Sequence, residues 1–95
     1  MYAFTFEAPS NQALYEEIRS GISELHPKGR VVHLVVKTES GLRHTDVWES
    51  QADWERFNEE QVMPSVVRAL TAAGIDPSLV PPSQDLEVVD VVVGA

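Results

Sequence analysis

Three histidines, His26, His33 and His44, are the side chains of this sequence that change charge near neutral pH. Two of them lie in the stretch Arg30–Trp48, together with Lys37, Asp46 and Trp48. If Ser40-Gly41 turns a hairpin there, Glu39 faces Leu42, Lys37 faces His44, Val35 faces Asp46 and His33 faces Trp48. Residues directly opposite share a sheet face. His33, Val35, Lys37, Leu42, His44, Asp46 and Trp48 therefore gather on one face, and Val32, Leu34, Val36 and Val47 on the other. An imidazole is suited to deprotonating a phenol or an enolisable carbon. Asp46, two residues from His44, can orient or charge a base. Trp48 offers a flat surface to an aromatic ligand, and Lys37 can neutralise an oxyanion. The expected catalytic groups are thus His33, His44 and Asp46, with Trp48 and Lys37 as ligand contacts. Each has a plain structural alternative: a rim or hydrogen-bonded histidine, a solvated carboxylate, a core indole, and a lysine paired with Asp46 or Glu39.

No other chemistry has a signature. There is no cysteine, hence no thiol nucleophile and no zinc–thiolate site. The histidines show no close H-x-x-x-H pair, so no metal is expected. Glycines at 21, 29, 41, 74 and 94 form no phosphate loop or dinucleotide fingerprint, so no cofactor is expected either. No serine sits in a nucleophile elbow. Seven Lys and Arg stand against fifteen Asp and Glu, a formal net charge of −8. Nucleic acid and anionic membrane both need a basic footprint, and none is present. Apolar runs are too short for a membrane-spanning helix, and the first residues lack a signal-peptide pattern; a cytoplasmic location is the expectation. A length of 95 residues suits a single domain, 1–95.

The elements that must position these groups follow from periodicity. Tyr2–Phe6 reads as a strand. Ser10 or Asn11 caps a helix whose stripe is Leu14, Ile18, Ile22 and Leu25, ending at His26-Pro27. Arg30–Thr38 and Leu42–Trp48 form the hairpin. Ser50 and Asp53 resemble a capping box ahead of a second helix carrying Trp54, Phe57, Val62, Val66, Leu70 and Ala73, with a kink or break near Met63 ahead of Pro64 and Gly74 at its end. Ile75–Asp85 is a loop in which Asp76-Pro77 can start one helical turn, and Leu86–Val93 is a last strand. The order β-α-β-β-α-β gives a ferredoxin-like α+β fold, four antiparallel strands with both helices on one face. The face bearing Val32, Leu34, Val36 and Val47 is expected beneath the helices, leaving the histidines on the helix-free side. In the last strand Leu86, Val88 and Val92 point one way and Val89, Val91 and Val93 the other. Both faces of the sheet then need cover, and a homodimer supplies it; a monomer with a modest exposed patch is the alternative.

Asp46-Val47-Trp48-Glu49-Ser50, Trp54-Glu55-Arg56-Phe57 and Met63-Pro64 resemble the dimeric α+β barrel proteins, and among them the antibiotic biosynthesis monooxygenase-like group. The resemblance covers the whole chain in element order, while its specific part is residues 46–64. It implies a dimer whose sheets face each other and a cavity between each sheet and its helices or loops. It also implies an enzyme of aromatic or natural-product metabolism. Members include cofactor-independent oxygenases of polycyclic phenols, haem-degrading enzymes, isomerases and cyclases. A tryptophan at the strand end lines the pocket in several, which carries over to Trp48. The haem-degrading branch uses an asparagine on the first strand and a histidine on the second helix, and this sequence has neither. The expectation is a cofactor-independent monooxygenase acting on a small aromatic or polyketide-like molecule. The alternatives are a cyclase or isomerase in the same pocket, or a non-catalytic dimeric binding module.

Overall fold

Alternation in Tyr2-Ala3-Phe4-Thr5-Phe6 places three aromatic rings on one side of an extended chain. In the computed structural model, which describes residues 1–78 and 81–94, this segment is the central strand β1, Tyr2–Ala8. On one side it pairs with β3, Gly41–Trp48, bringing Tyr2 opposite Trp48, Phe4 opposite Asp46 and Phe6 opposite His44. On the other it pairs with a short β4, Gln84–Leu86. The strand β2, Arg30–Thr38, lies outside β3. The sheet order is β2-β3-β1-β4 and every pairing is antiparallel. With α1 (Gln12–Ser20) after β1 and a second helical rod after β3, this is the expected ferredoxin-like α+β arrangement.

Local chemistry explains most boundaries. The side chain of Asn11 accepts a hydrogen bond from the Leu14 N–H at 2.8 Å and starts α1. Ser50 does the same for the Asp53 N–H at the start of α2, Gln51–Phe57. The helix α1 stops at Ser20, earlier than the stripe suggested. At Gly21 the chain passes so close to α3 (Met63–Ala72) that a Cβ would collide with Ser65 Oγ and the Arg68 guanidinium. The Ser65 hydroxyl donates to the Ile18 carbonyl there, and Ile22 reaches the core from outside the helix. The second rod does not break at Pro64. It runs through α2, a π-helical turn at Asn58–Val62 and α3, Met63–Ala72. Proline has no N–H to give and its ring crowds the carbonyl four residues back, so the wider turn ahead of it is a physical alternative to a kink. Gly74, at φ 74°, ends the rod in the left-handed conformation.

The core sits between the helices and the aromatic side of the sheet. Phe4, Trp48 and Phe57 form its centre, ringed by Tyr2, Phe6, Ile22, Trp54 and Val62. Ring centroids lie 4.7 Å apart for Phe4–Trp54, 5.6 Å for Trp48–Trp54 and 5.5 Å for Trp48–Phe57, all tilted. Such pairs contribute roughly 0.5–1.5 kcal/mol each beyond their buried area.

Three expectations are corrected. The hairpin loop is Glu39-Ser40, with Thr38 opposite Gly41 and His33 opposite Asp46, two positions from the expected register. The shift is even, so residues keep their faces, but the faces are inverted relative to the helices. The side with His33, His44, Asp46 and Trp48 is the one beneath them, and Leu34 on the other side is 51 % exposed. The large helix residues Trp54 and Phe57 match the aromatic surface of the sheet better than its valine surface. Finally, β4 comprises three residues, and 87–94 continue without strand pairing. Val89 and Val92 are 94 % and 84 % exposed, so they bury nothing within the protomer. Within the expected loop 75–85, Asp76 Oδ1 accepts from the Ser78 N–H at 2.9 Å, and residues 79–80 lie outside those described.

Candidate active site

Beneath α1, four polar side chains join in one hydrogen-bonded line. The Trp48 Nε1–H donates to Asp46 Oδ2 at 3.1 Å. The other carboxylate oxygen, Oδ1, lies 2.8 Å from His33 Nδ1, and His33 Nε2 lies 3.0 Å from the Tyr15 hydroxyl. Each member is placed by a different rule. Asp46 and Trp48 are two apart on β3 and so share a face. His33 is their cross-strand neighbour, directly opposite Asp46. Tyr15 comes from the first turns of α1, which crosses above.

Burial orders these groups by depth. Trp48 is 0 % exposed and Asp46 5 %, while His33 and Tyr15 reach toward solvent. An ionised carboxylate only accepts hydrogen bonds, so Asp46 places the imidazole proton on Nδ1. Nε2 is then the acceptor, and the Tyr15 hydroxyl donates to it. A carboxylate orienting an imidazole, which in turn holds an O–H, is the general layout of an activated proton-transfer group. His44 stands next to this line without joining it. Its ring stacks on Phe6 at 4.5 Å and 8° and lies 5.6 Å from the ring of Tyr15. Burial, then the nearby His33, push its pKa below the usual histidine value, with Asp46 partly opposing them.

The line opens sideways onto a groove of about 360 Å³ between the end of α1, the chain at His26-Pro27 and strand β2. Arg19, Arg30, Val31 and His33 complete its walls. A β-bulge shapes it. Arg30 is opposite Trp48 and Val32 opposite Val47, so Val31 is an extra residue on β2. Strict alternation from His33 would put Arg30 on the far face. The bulge returns it to the helix side, where its guanidinium lies 5.9 Å from the centroid of Phe57 and donates to the Leu25 carbonyl at 2.6 Å.

Of the expected residues, the structure brings together His33, Asp46 and Trp48, with His44 adjacent. Trp48 is a wholly enclosed core residue whose side chain, among the described residues, has its one polar link to Asp46, and it offers no open face to a ring. Lys37 is exposed near the hairpin end, four residues and roughly 13 Å along β2 from His33. Sequence reasoning missed Tyr15, Arg19 and Arg30. The available signal for Tyr15 was its position beside Leu14, four residues before Arg19, on the helix face turned toward the sheet. Among the described residues no group of three or more His, Asp and Glu could hold a metal ion, and no helix is long and apolar enough to cross a membrane. No protein-family model matches the chain, and no curated protein matches it.

Proposed function

We propose that the chain is a small-molecule enzyme working by general acid–base catalysis, with His33 as the base, Asp46 as its orienting carboxylate and Tyr15 as the hydroxyl through which the proton moves. The observation that carries this reading is the unbroken line Trp48–Asp46–His33–Tyr15, buried at its Trp48 end, with His33 on the wall of a groove. A purely structural buried carboxylate is satisfied by whatever donors lie near. Here one donor is an imidazole whose second nitrogen faces outward and holds a hydroxyl, so a proton taken at Tyr15 Oη can pass to His33 Nε2, and the resulting imidazolium is stabilised by Asp46. His44, held toward its neutral form by burial, keeps a second positive charge away from that imidazolium.

A substrate of the aromatic or polyketide-like class, with an acidic phenol or an enolisable carbon, fits such a base. Deprotonation yields an electron-rich anion. If that anion reduces oxygen directly, the enzyme is a cofactor-independent monooxygenase, as the resemblance of residues 46–64 suggests; if it rearranges or closes a ring, it is an isomerase or cyclase. The protomer's helix-free face, with Leu34, Val36 and Leu86 uncovered, supports a homodimer as the working unit.

The test uses a panel of small phenols and enolisable carbonyl compounds, following solvent deuterium exchange and oxygen uptake together. Exchange or turnover that falls at least about 100-fold in His33→Ala and Tyr15→Phe is expected. Oxygen uptake sorts the oxygenase from the isomerase. Turnover unchanged in both variants would remove the proposed base, and a parent protein that binds members of the panel but never exchanges a proton would be a binding module.

A further inference from the structure

The groove beside His33 gathers basic side chains in a protein that is acidic as a whole. The chain has fifteen carboxylate side chains against seven Lys and Arg, yet Arg19, Arg30, His26 and His33 line this one recess, and no carboxylate does. Arg43 and Arg56 are ion-paired, with Glu7 and with Glu24 and Glu60. Among the described residues neither Arg19 nor Arg30 has such a partner. Arg30 spends part of its guanidinium on the Leu25 carbonyl and lies against Phe57, which fixes its position and leaves further N–H donors. Arg19 is one helical turn beyond Tyr15 on the same face of α1. The β-bulge at Val31 is what sets Arg30 on this side at all.

We propose that this groove is an oxyanion subsite in which Arg19 and Arg30 hold a carboxylate or phosphate of a small molecule beside His33, whose Nε2 meets the Tyr15 hydroxyl. A planar guanidinium presents paired N–H donors that match both groups, and it stays charged at every relevant pH. Lys28, Lys37 and Arg68 also lack an ion pair among the described residues, but only Arg19 and Arg30 share the walls of one recess, where a single anion can meet both. The inference rests on the acid–base reading of Tyr15 and His33 for its biological meaning and narrows the substrate to an anionic one. The binding step itself stands independently of turnover.

The probes are inorganic phosphate and benzoate, titrated into the intact protein while the amide and arginine Nε–H resonances are followed by NMR. Saturable shifts concentrated at Arg19, Arg30, Val31 and His33 are expected, with each anion displacing the other. Benzoate binding the tighter of the two identifies a carboxylate subsite, and phosphate the tighter identifies a phosphate subsite. Arg19→Gln, at an exposed position that leaves the fold intact, weakens binding roughly tenfold or more, and Arg30→Gln does so as well. Shifts spread over all basic residues without saturation, or affinities unchanged in Arg19→Gln, would overturn the subsite. His33→Ala separates the two ideas. If it abolishes turnover but leaves anion binding within a few-fold, both stand. If anion binding persists in a protein with no turnover at all, the subsite stands and the catalytic reading fails.

Discussion

At the scale of single residues, the polar groups under α1 are stabilised by one another. Asp46 is buried on the aromatic side of the sheet, where an unpaired carboxylate would be costly. Its two oxygens are each satisfied, by Trp48 and by His33. This is why the histidine-bearing face can lie beneath helices, contrary to what its polarity suggests. A count of apolar residues along β2 favours the Val32, Leu34, Val36 face for the core; the aromatic rings of Tyr2, Phe4, Phe6 and Trp48 on the other face outweigh it, and the carboxylate–imidazole pairing removes the cost of burying Asp46 among them. His44 makes a testable contribution at this scale. Its folded-state pKa is depressed, so the unfolded chain takes up the proton first as pH falls. Stability is therefore expected to drop as pH decreases from about 6.5, the unfolded value, through the lower folded value. His44→Phe, which retains an aromatic ring on Phe6, should flatten that part of the profile. Thermal unfolding of both proteins between pH 7 and pH 5 checks this, and parallel profiles would contradict it.

At the scale of elements, the sequence was most legible where a residue type acts locally. The extent of β2, the caps at Asn11 and Ser50 and the end of the second rod at Gly74 all follow from side-chain chemistry within a few residues. It was least legible where tertiary approach decides. The stripe Leu14, Ile18, Ile22, Leu25 continues at helical spacing past Ser20, yet the chain leaves the helix because Gly21 meets α3. The β-bulge at Val31 left no mark that a strand pattern reveals, and so Arg30 was not seen as a neighbour of His33. Gly21→Ala should be destabilising by about 1–3 kcal/mol, since the added methyl must displace Ser65 from the Ile18 carbonyl. Its backbone φ of −85° is ordinary, so the penalty is one of space alone. Chemical denaturation measures it, and a variant as stable as the parent would mean that α1 and α3 part more easily than their contact suggests.

At the scale of the whole molecule, one side of the sheet is finished and the other is not. The aromatic side is covered by α1 and the second rod. The opposite side leaves Leu34, Val36 and Leu86 exposed, and the segment after β4 carries Val89, Val92 and Val93 into solvent. The sequence signalled this excess through the apolar alternation of Leu86–Val93, but a full strand within the protomer is not how it is used. In the proposed homodimer a second copy would cover these residues. Leu34→Lys places a charge in the middle of that face. Sedimentation should show a dimer for the parent at micromolar concentration and a shift to monomer for the variant. A parent that is monomeric and well folded would leave the exposed valines without that explanation.

The proton position on His33 reports on the catalytic line most directly. Long-range ¹H–¹⁵N correlation of the imidazole nitrogens at pH 8 distinguishes the two neutral tautomers. With Asp46 accepting at Nδ1 and Tyr15 donating at Nε2, His33 should be held in the Nδ1–H form; in Asp46→Asn the amide oxygen is taken by the Trp48 N–H and the NH2 faces Nδ1, which should move the proton to Nε2. A parent His33 that carries its proton on Nε2, or a tautomer indifferent to Asp46→Asn, would contradict the relay through which Tyr15 and His33 are proposed to act.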